Sequence, residues 1–246
     1  MNLGLDGKVC VVTGATRGIG AATVRMLSQE GAQVLGVARH GAQLELDVTA
    51  PDAGERVLEA CPATPWALVN VAGASRARPL EELGDSDWQR QWELHVMGPM
   101  RLMRTLAPVM AEAGGGRMVN VASSSGKRPS GRLDPSYSVT KAAQLSLSRV
   151  FADMWAARAV LVNAIAPGPV EGESWTSEDG LADQLAARSG KTRDEVLEAT
   201  RSGLPRGRMG TDDEVAAAIV FLCSQPASNV VGAAWSVDGG SVPIIL

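Results

Sequence analysis

Seven short apolar runs, separated by amphipathic segments, restrict this 246-residue chain to few folds. The runs Lys8–Thr13, Gln33–Ala38, Leu44–Asp47, Trp66–Asn70, Arg117–Ala122, Val160–Ala166 and Ala233–Val237 are predicted strands. Most are continuous apolar stretches, the pattern of strands covered on both faces. Between them, Ile19–Glu30, Pro51–Ala60, Ser86–Ala113, Ser136–Ala157 and Thr211–Ser224 show helical apolar spacing. Thr211-Asp212-Asp213-Glu214 has the pattern of a capping box ahead of Val215–Leu222. Strand–helix alternation repeated this often predicts an α/β fold, a doubly wound parallel sheet with helices on both faces. With 45% hydrophobic residues and no internal linker, residues 1–246 are expected to form a single domain. Pro167–Gly210 has no clear place in the sheet. Such a stretch is usually functional, and residues 169–210 are expected to form a substrate-covering lid with helical pieces at Gly180–Ser189 and Arg193–Arg201.

Composition narrows the function classes. The net charge is -4, without the basic excess of a nucleic-acid binder, so no nucleic-acid partner is expected. The three widely spaced cysteines fit neither a disulfide framework nor a zinc site, so no metal is expected. No run approaches the ~18 apolar residues of a membrane span, and the first residues lack a signal-peptide pattern. A cytoplasmic location without a membrane partner is the expectation.

The first strand runs straight into Thr13-Gly14-Ala15-Thr16-Arg17-Gly18-Ile19-Gly20 and then a helix. Gly14 permits the tight turn, Gly18 lets backbone N–H groups approach a pyrophosphate, and Gly20 lets helix and strand pack closely. The pyrophosphate is then placed at the positive end of the helix. Similar turns occur for packing alone, but this one has the strand–turn–helix context that dinucleotide binding requires.

The Thr-Gly-x-x-x-Gly-x-Gly spacing resembles the nucleotide motif of the short-chain dehydrogenase/reductase family, and further matches follow in order. Asp47-Val48 resembles the family's pair around the adenine. Asn70-Val71-Ala72-Gly73 resembles its Asn-Asn-Ala-Gly segment with Val71 substituted. Ser123, Tyr137-Ser138-Val139-Thr140-Lys141, Asn163 and Ala166-Pro167-Gly168 stand at family-like spacing. The resemblance spans nearly the whole chain. It implies a Rossmann fold and an oxidoreductase that moves a hydride between a nicotinamide and a ketone or secondary alcohol. The cofactor contacts it implies are Gly14, Thr16, Arg17, Gly18, Ile19, Gly20, Arg39, Asp47, Val48, Asn70, Ala72, Gly73, Tyr137, Lys141, Pro167, Gly168 and Val170.

The second strand ends Gly36-Val37-Ala38-Arg39-His40, without the acid that accepts ribose hydroxyls in NAD-type folds. Arg39 can instead bind a 2′-phosphate through its planar fork, with Arg17 as a second cation. NADP(H) is therefore the expected cofactor.

Tyr137, the sole tyrosine, and Lys141 share a helix face. A phenol with a pKa of roughly 10 exchanges protons poorly at neutral pH, and a nearby ammonium is expected to lower it. The resemblance implies that Tyr137 donates a proton to the substrate oxygen, that Lys141 also holds the nicotinamide ribose, and that Ser123 orients the oxygen. Ser124 is the alternative serine, since it stands 13 rather than 14 residues before Tyr137. His95 occupies the position where the family commonly has Asn. It is expected to keep a main-chain water relay to the lysine while adding a titratable imidazole. Where the family has Thr under the nicotinamide this chain has Gly172, leaving Val170 as a backbone contact.

In the lid, Trp175, Leu181, Leu185, Leu197, Leu204 and Met209 are expected to form an apolar wall. Arg188, Lys191, Arg193, Arg201, Arg206 and Arg208 either attract an anionic substrate or stay solvated. The family's habits imply a homo-oligomer, a tetramer by expectation, to which the apolar tail Gly240–Leu246 is suited. Two other classes stay open: a nucleotide-sensing regulator that keeps the fold without catalysis, and a sugar-nucleotide epimerase or dehydratase.

Overall fold

The computed structural model describes residues 1–131 and 133–243, so the tail residues Ile244, Ile245 and Leu246 lie outside the described residues. Seven parallel strands form one sheet in the order β3-β2-β1-β4-β5-β6-β7. They are β1 (Val9–Thr13), β2 (Gln33–Ala38), β3 (Leu44–Glu45), β4 (Pro65–Asn70), β5 (Gly116–Val121), β6 (Val160–Pro167) and β7 (Ala234–Val237). The order reverses between β1 and β4, which opens a crevice at their C-terminal ends. Ligands bind at such a switch point in open α/β sheets.

On one face lie α1 (Gly18–Gln29) and α10 (Asp212–Cys223), sealed by Val12, Leu27, Val69, Ile165, Ile219 and Leu222. On the other lie α2 (Ala53–Ala60), α4 (Gly98–Glu112) and α6 (Pro135–Trp155), packed on Val11, Val37, Leu68, Met118 and Val162. Every residue of β1, β5 and β6 is buried, which explains their mostly apolar sequences, with Thr13, Arg117, Asn120 and Asn163 as buried polar exceptions. The capping box at α10 forms as the sequence predicts. Thr211 Oγ1 accepts from the Glu214 N–H at 3.2 Å, and Glu214 Oε2 accepts from the Thr211 N–H at 2.9 Å.

The segment Ser86–Ala113 departs from the single predicted helix. It divides into α3 (Asp85–Trp92), a π turn over Glu93–Met97, and α4. Pro99 has no N–H, so the His95 carbonyl four residues earlier loses its α-helical donor. The Gly98 N–H reaches the Glu93 carbonyl, five residues back. A Cβ at Gly98 would stand 2.9 Å from the Val48 carbonyl oxygen, so the turn is pressed against the chain that follows β3.

The stretch 169–210 folds onto itself as α7 (Glu173–Thr176), α8 (Leu181–Ser189) and α9 (Arg193–Ser202). Trp175, Leu181, Leu197, Leu204 and Met209 form a small apolar core with Ala77, joined by Leu133 and Leu185. Three of the arginines in this stretch have acidic partners. Arg193 pairs with Asp183 at 3.3 Å, Arg201 with Glu171, and Arg208 Nη1 with Glu214 at 2.9 Å. The Arg208 guanidinium and the Thr211 N–H hold the Glu214 carboxyl down at about 2. An anion-attracting role for these three therefore loses its basis.

Candidate active site

A cleft of about 1010 Å³ follows the switch point. It is lined by Gly14, Thr16, Arg17, Gly18, Ile19 and Gly20 from the glycine turn, and by Arg39, Asp47 and Val48 beyond β2 and β3. Ala72, Gly73 and Val170 complete the wall near the sheet. Gly14 and Gly18 have φ of +67° and +53°, conformations that favour glycine. At Gly20 a Cβ would stand 2.0 Å from the Gly14 carbonyl oxygen. Because the clash is with backbone, Gly20→Ala must displace α1 from the turn. The expected cost is about 1–3 kcal/mol, read as a lower denaturant midpoint together with weaker dinucleotide binding. A midpoint equal to wild type would show that the turn tolerates the methyl group.

The Thr13 hydroxyl accepts the Val71 and Ala72 N–H groups at 3.1 and 3.2 Å, tying the exit of β1 to that of β4. Asp47 Oδ1 accepts both the N–H and the hydroxyl of Thr49, at 2.9 and 2.8 Å, so part of its carboxylate is used by its own turn. Asn70 is placed differently from the other expected contacts. Its side chain is buried in the sheet, where Nδ2 donates to Asn120 Oδ1 at 2.8 Å, and it lines neither cavity. Asn163 is likewise buried, and its side chain holds the backbone of Val230 and Ala233 in the segment before β7. Arg17 and Arg39 are exposed at the cleft and have no ion pair among the described residues.

A smaller cavity of about 230 Å³ opens off the cleft, sharing Ile19, Val71, Gly73, Ala74, Val170 and Ser174 with it. Ser123, Tyr137, Lys141, Pro167 and Gly168 line it. Asp134 and Pro135 set the start of α6. The Asp134 carboxylate accepts the Ser136 N–H at 2.9 Å, and proline suits the first helical position. This places Tyr137 in the first turn and Lys141 one turn on. Ser123 follows β5 directly and caps α5 (Ser124–Lys127) by accepting the Ser125 N–H at 3.1 Å. Of the serines, Ser123 is the one hydrogen-bonded to the Tyr137 phenol, while Ser124 lines the cavity beside it.

The electrostatics of the cofactor-free chain bear on two expectations. Burial raises the Tyr137 phenol above its usual range, against the lowering effect of the Ser123 hydrogen bond. Lys141 does not offset this, because its ammonium is directed to the Val121 carbonyl at 2.8 Å and Gln144 Oε1 at 3.0 Å, 5.7 Å from the phenol ring centre. Burial also pulls the Lys141 ammonium down to about 7. The second concerns His95. It is fully buried and lines neither cavity. Its Nε2 accepts the Ala74 N–H at 3.3 Å, so Nδ1 carries the proton and donates to Thr140 Oγ1 at 2.9 Å. Burial, and secondarily the charge of Lys141, hold it well below the usual histidine range. The imidazole is a neutral strut, edge-on to the Tyr137 ring at 5.3 Å and 84°. His95→Asn is accordingly expected to keep kcat within about an order of magnitude, with no limb of the pH profile displaced. Abolished turnover would show that the ring is indispensable.

Sequence reasoning passed over Gln144 and Thr140, although a signal was present. Ser136, Thr140, Gln144 and Ser148 recur every fourth residue on the buried face of α6. It also passed over Glu173 and Asp212, which line the cleft; burial, and then Asp213 and Glu173, raise the Asp212 carboxyl.

Glycines that leave no room for a Cβ, a dinucleotide-sized cleft at the switch point and a Ser–Tyr–Lys cluster beside it together define a Rossmann-fold oxidoreductase site. Residues 14–241 match the family described as enoyl-(acyl carrier protein) reductase. The chain is 32% identical to the 3-oxoacyl-(acyl-carrier-protein) reductase FabG of Vibrio cholerae, over 97% of this chain and 98% of that one. It is 34% identical to the L-tagatose-forming galactitol 2-dehydrogenase of Cereibacter sphaeroides, over 96% and 95%. Among solved structures, L-sorbose reductase from Gluconobacter frateurii in complex with NADPH and L-sorbose superposes with a TM-score of 0.90 at 32% identity, covering 100% of both chains. The chain belongs to the short-chain dehydrogenase/reductase family and is an oxidoreductase of the CH-OH/C=O type. The named relatives are dehydrogenases and reductases, which lends no support to a sensing role. No described helix is long and apolar enough to cross a membrane.

Proposed function

We propose that the protein is an NADP(H)-dependent reductase of small neutral ketones, with Tyr137 as proton donor, Ser123 orienting the substrate oxygen and Lys141 supplying the positive charge of the site. The observation that carries this reading is the Tyr137 phenol, hydrogen-bonded to Ser123 in a cavity that shares its wall with the dinucleotide cleft. The bound cofactor supplies the hydride. Tyr137 holds its proton at neutral pH, the form needed to protonate the developing alkoxide, so the isolated site is set for reduction. Ser123 offers a second polar contact to the same oxygen. A main-chain relay to Lys141 is proposed to use the His95 carbonyl, which Pro99 deprives of its α-helical donor.

Among the described residues, Lys141 is the one ionisable side chain besides Tyr137 in the cavity lining, which otherwise combines serine hydroxyls with apolar groups such as Leu133, Trp175 and Leu181. Such a wall suits a neutral hydroxyketone better than a carboxylate. The relatives named for L-sorbose and galactitol agree with that class. Arg17 and Arg39 at the cleft mouth support NADP(H) over NAD(H), in keeping with neighbours solved with NADPH or NADP. The described residues also expose Trp92 on α3 and Val139, Val150 and Met154 on α6. These apolar side chains are in keeping with a homo-oligomer, for which a tetramer is proposed. The test is NADPH consumption against a ketone panel containing L-sorbose, with the tyrosine variant argued below as control.

A further inference from the structure

The buried polar stripe of α6 costs stability unless each group on it finds a partner. Three of the four do so through ordinary bonds. The Ser136 hydroxyl donates to Asp134 Oδ1 at 2.5 Å, and Thr140 accepts from His95. Ser148 Oγ donates to the Gln144 carbonyl at 2.7 Å and accepts from Asn120 Nδ2 at 2.8 Å. Gln144 is different. Its side chain is fully buried and its Oε1 accepts from Lys141 Nζ at 3.0 Å, yet its Nε2 has no partner among the described residues.

A buried amide with one half unpaired is a poor packing choice, because a leucine there would avoid the desolvation cost. What the amide adds is a second acceptor for an ammonium that is only 3% exposed and otherwise bonded to the Val121 carbonyl. Turning the amide over would aim its NH2 group at the ammonium, so the lysine dictates its orientation. Behind it, Ser148, Asn120 and Asn70 link the Gln144 main chain to β5 and β4, fixing α6 against the sheet.

We infer that Gln144 is a positioning residue for Lys141, holding the ammonium charged at the floor of the cavity and thereby setting the pH at which the site loses its positive charge. The inference rests on Lys141 being the cation of the proposed reaction. Two titratable groups face the lysine, Tyr137 from its own helix and the neutral His95 from the π turn. β5 presents the Val121 carbonyl and the loop after β4 the Gly73 backbone. No carboxylate pairs with Lys141 among the described residues.

The chain has four lysines, so side-chain NMR of lysine-labelled protein can follow each, with Lys141→Arg assigning the signal. Gln144→Leu removes one charge-assisted hydrogen bond and is expected to lower the Lys141 midpoint by about one pH unit. Gln144→Glu keeps the acceptor, adds negative charge and is expected to raise it. In NADPH-driven reduction of L-sorbose, or of whichever panel ketone turns over, the alkaline limb of kcat/KM should move in the same directions. A residue that merely filled space would change stability and leave both readouts in place. An unmoved midpoint in either folded variant overturns the inference, and if circular dichroism shows the leucine variant unfolded, the glutamate variant decides alone. Full activity in Tyr137→Phe would refute the catalytic reading while leaving the lysine titration to stand or fall separately.

Discussion

Tyr137→Phe is expected to lower kcat for NADPH-driven ketone reduction by roughly 10²–10⁴-fold, the usual contribution of a positioned general acid. NADPH affinity and thermal stability should change little. The ring supplies the edge-on contact with His95, and phenylalanine keeps it, so the variant loses the hydroxyl and its Ser123 hydrogen bond and almost nothing else. Tyr137 is also the sole tyrosine, so no other phenol can substitute. Steady-state kinetics with the ketone panel, paired with NADPH titration by fluorescence, separate a chemical from a binding defect. Wild-type turnover in the variant would refute the proposed mechanism. Ser123→Ala belongs to the same test, with a smaller expected loss because the phenol still reaches the substrate oxygen.

The sheet was legible because continuous apolar runs have one economical use, as strands covered on both faces, and β1, β5 and β6 are buried throughout. The site was legible where a residue's chemistry depends on local geometry. Gly14 and Gly20 announce a backbone turn that excludes a Cβ, and Tyr137 with Lys141 lie one helical turn apart. What escaped depends on contacts distant in sequence. The direction of the Lys141 ammonium is set by the Val121 carbonyl, twenty residues away, which the four-residue spacing from Tyr137 could not reveal. Histidine by itself reads as titratable, but the Ala74 N–H and Thr140 occupy both ring nitrogens of His95. Pro99 did carry a local signal for the π turn, since a proline removes a helical donor wherever it falls. Family-like spacing at Asn70 concealed a side chain that serves the sheet rather than the cleft.

Cofactor choice provides the second large effect. Arg17 in the glycine turn and Arg39 just after β2 line the same cleft, and both are solvent-exposed with no acid paired to them among the described residues. The nearby Glu45 on β3 accepts the Gly41 N–H at 2.8 Å and does not line the cleft, so it is not placed like the carboxylate that holds ribose hydroxyls in NAD-type folds. A 2′-phosphate at the mouth would meet two guanidinium forks. A hydrogen bond to a charged group contributes roughly 1.5 kcal/mol at the lower end of its range, about a tenfold change in affinity. Arg17→Ala with Arg39→Ala is therefore expected to raise KM for NADPH about a hundredfold and to leave KM for NADH nearly unchanged. Added salt should weaken NADPH binding to the wild type and have far less effect on NADH, since salt screens the attraction between the two arginines and the 2′-phosphate. A wild-type protein that prefers NADH, or a double variant whose NADPH kinetics match wild type, would overturn the role given to both arginines while leaving the Tyr137 chemistry intact.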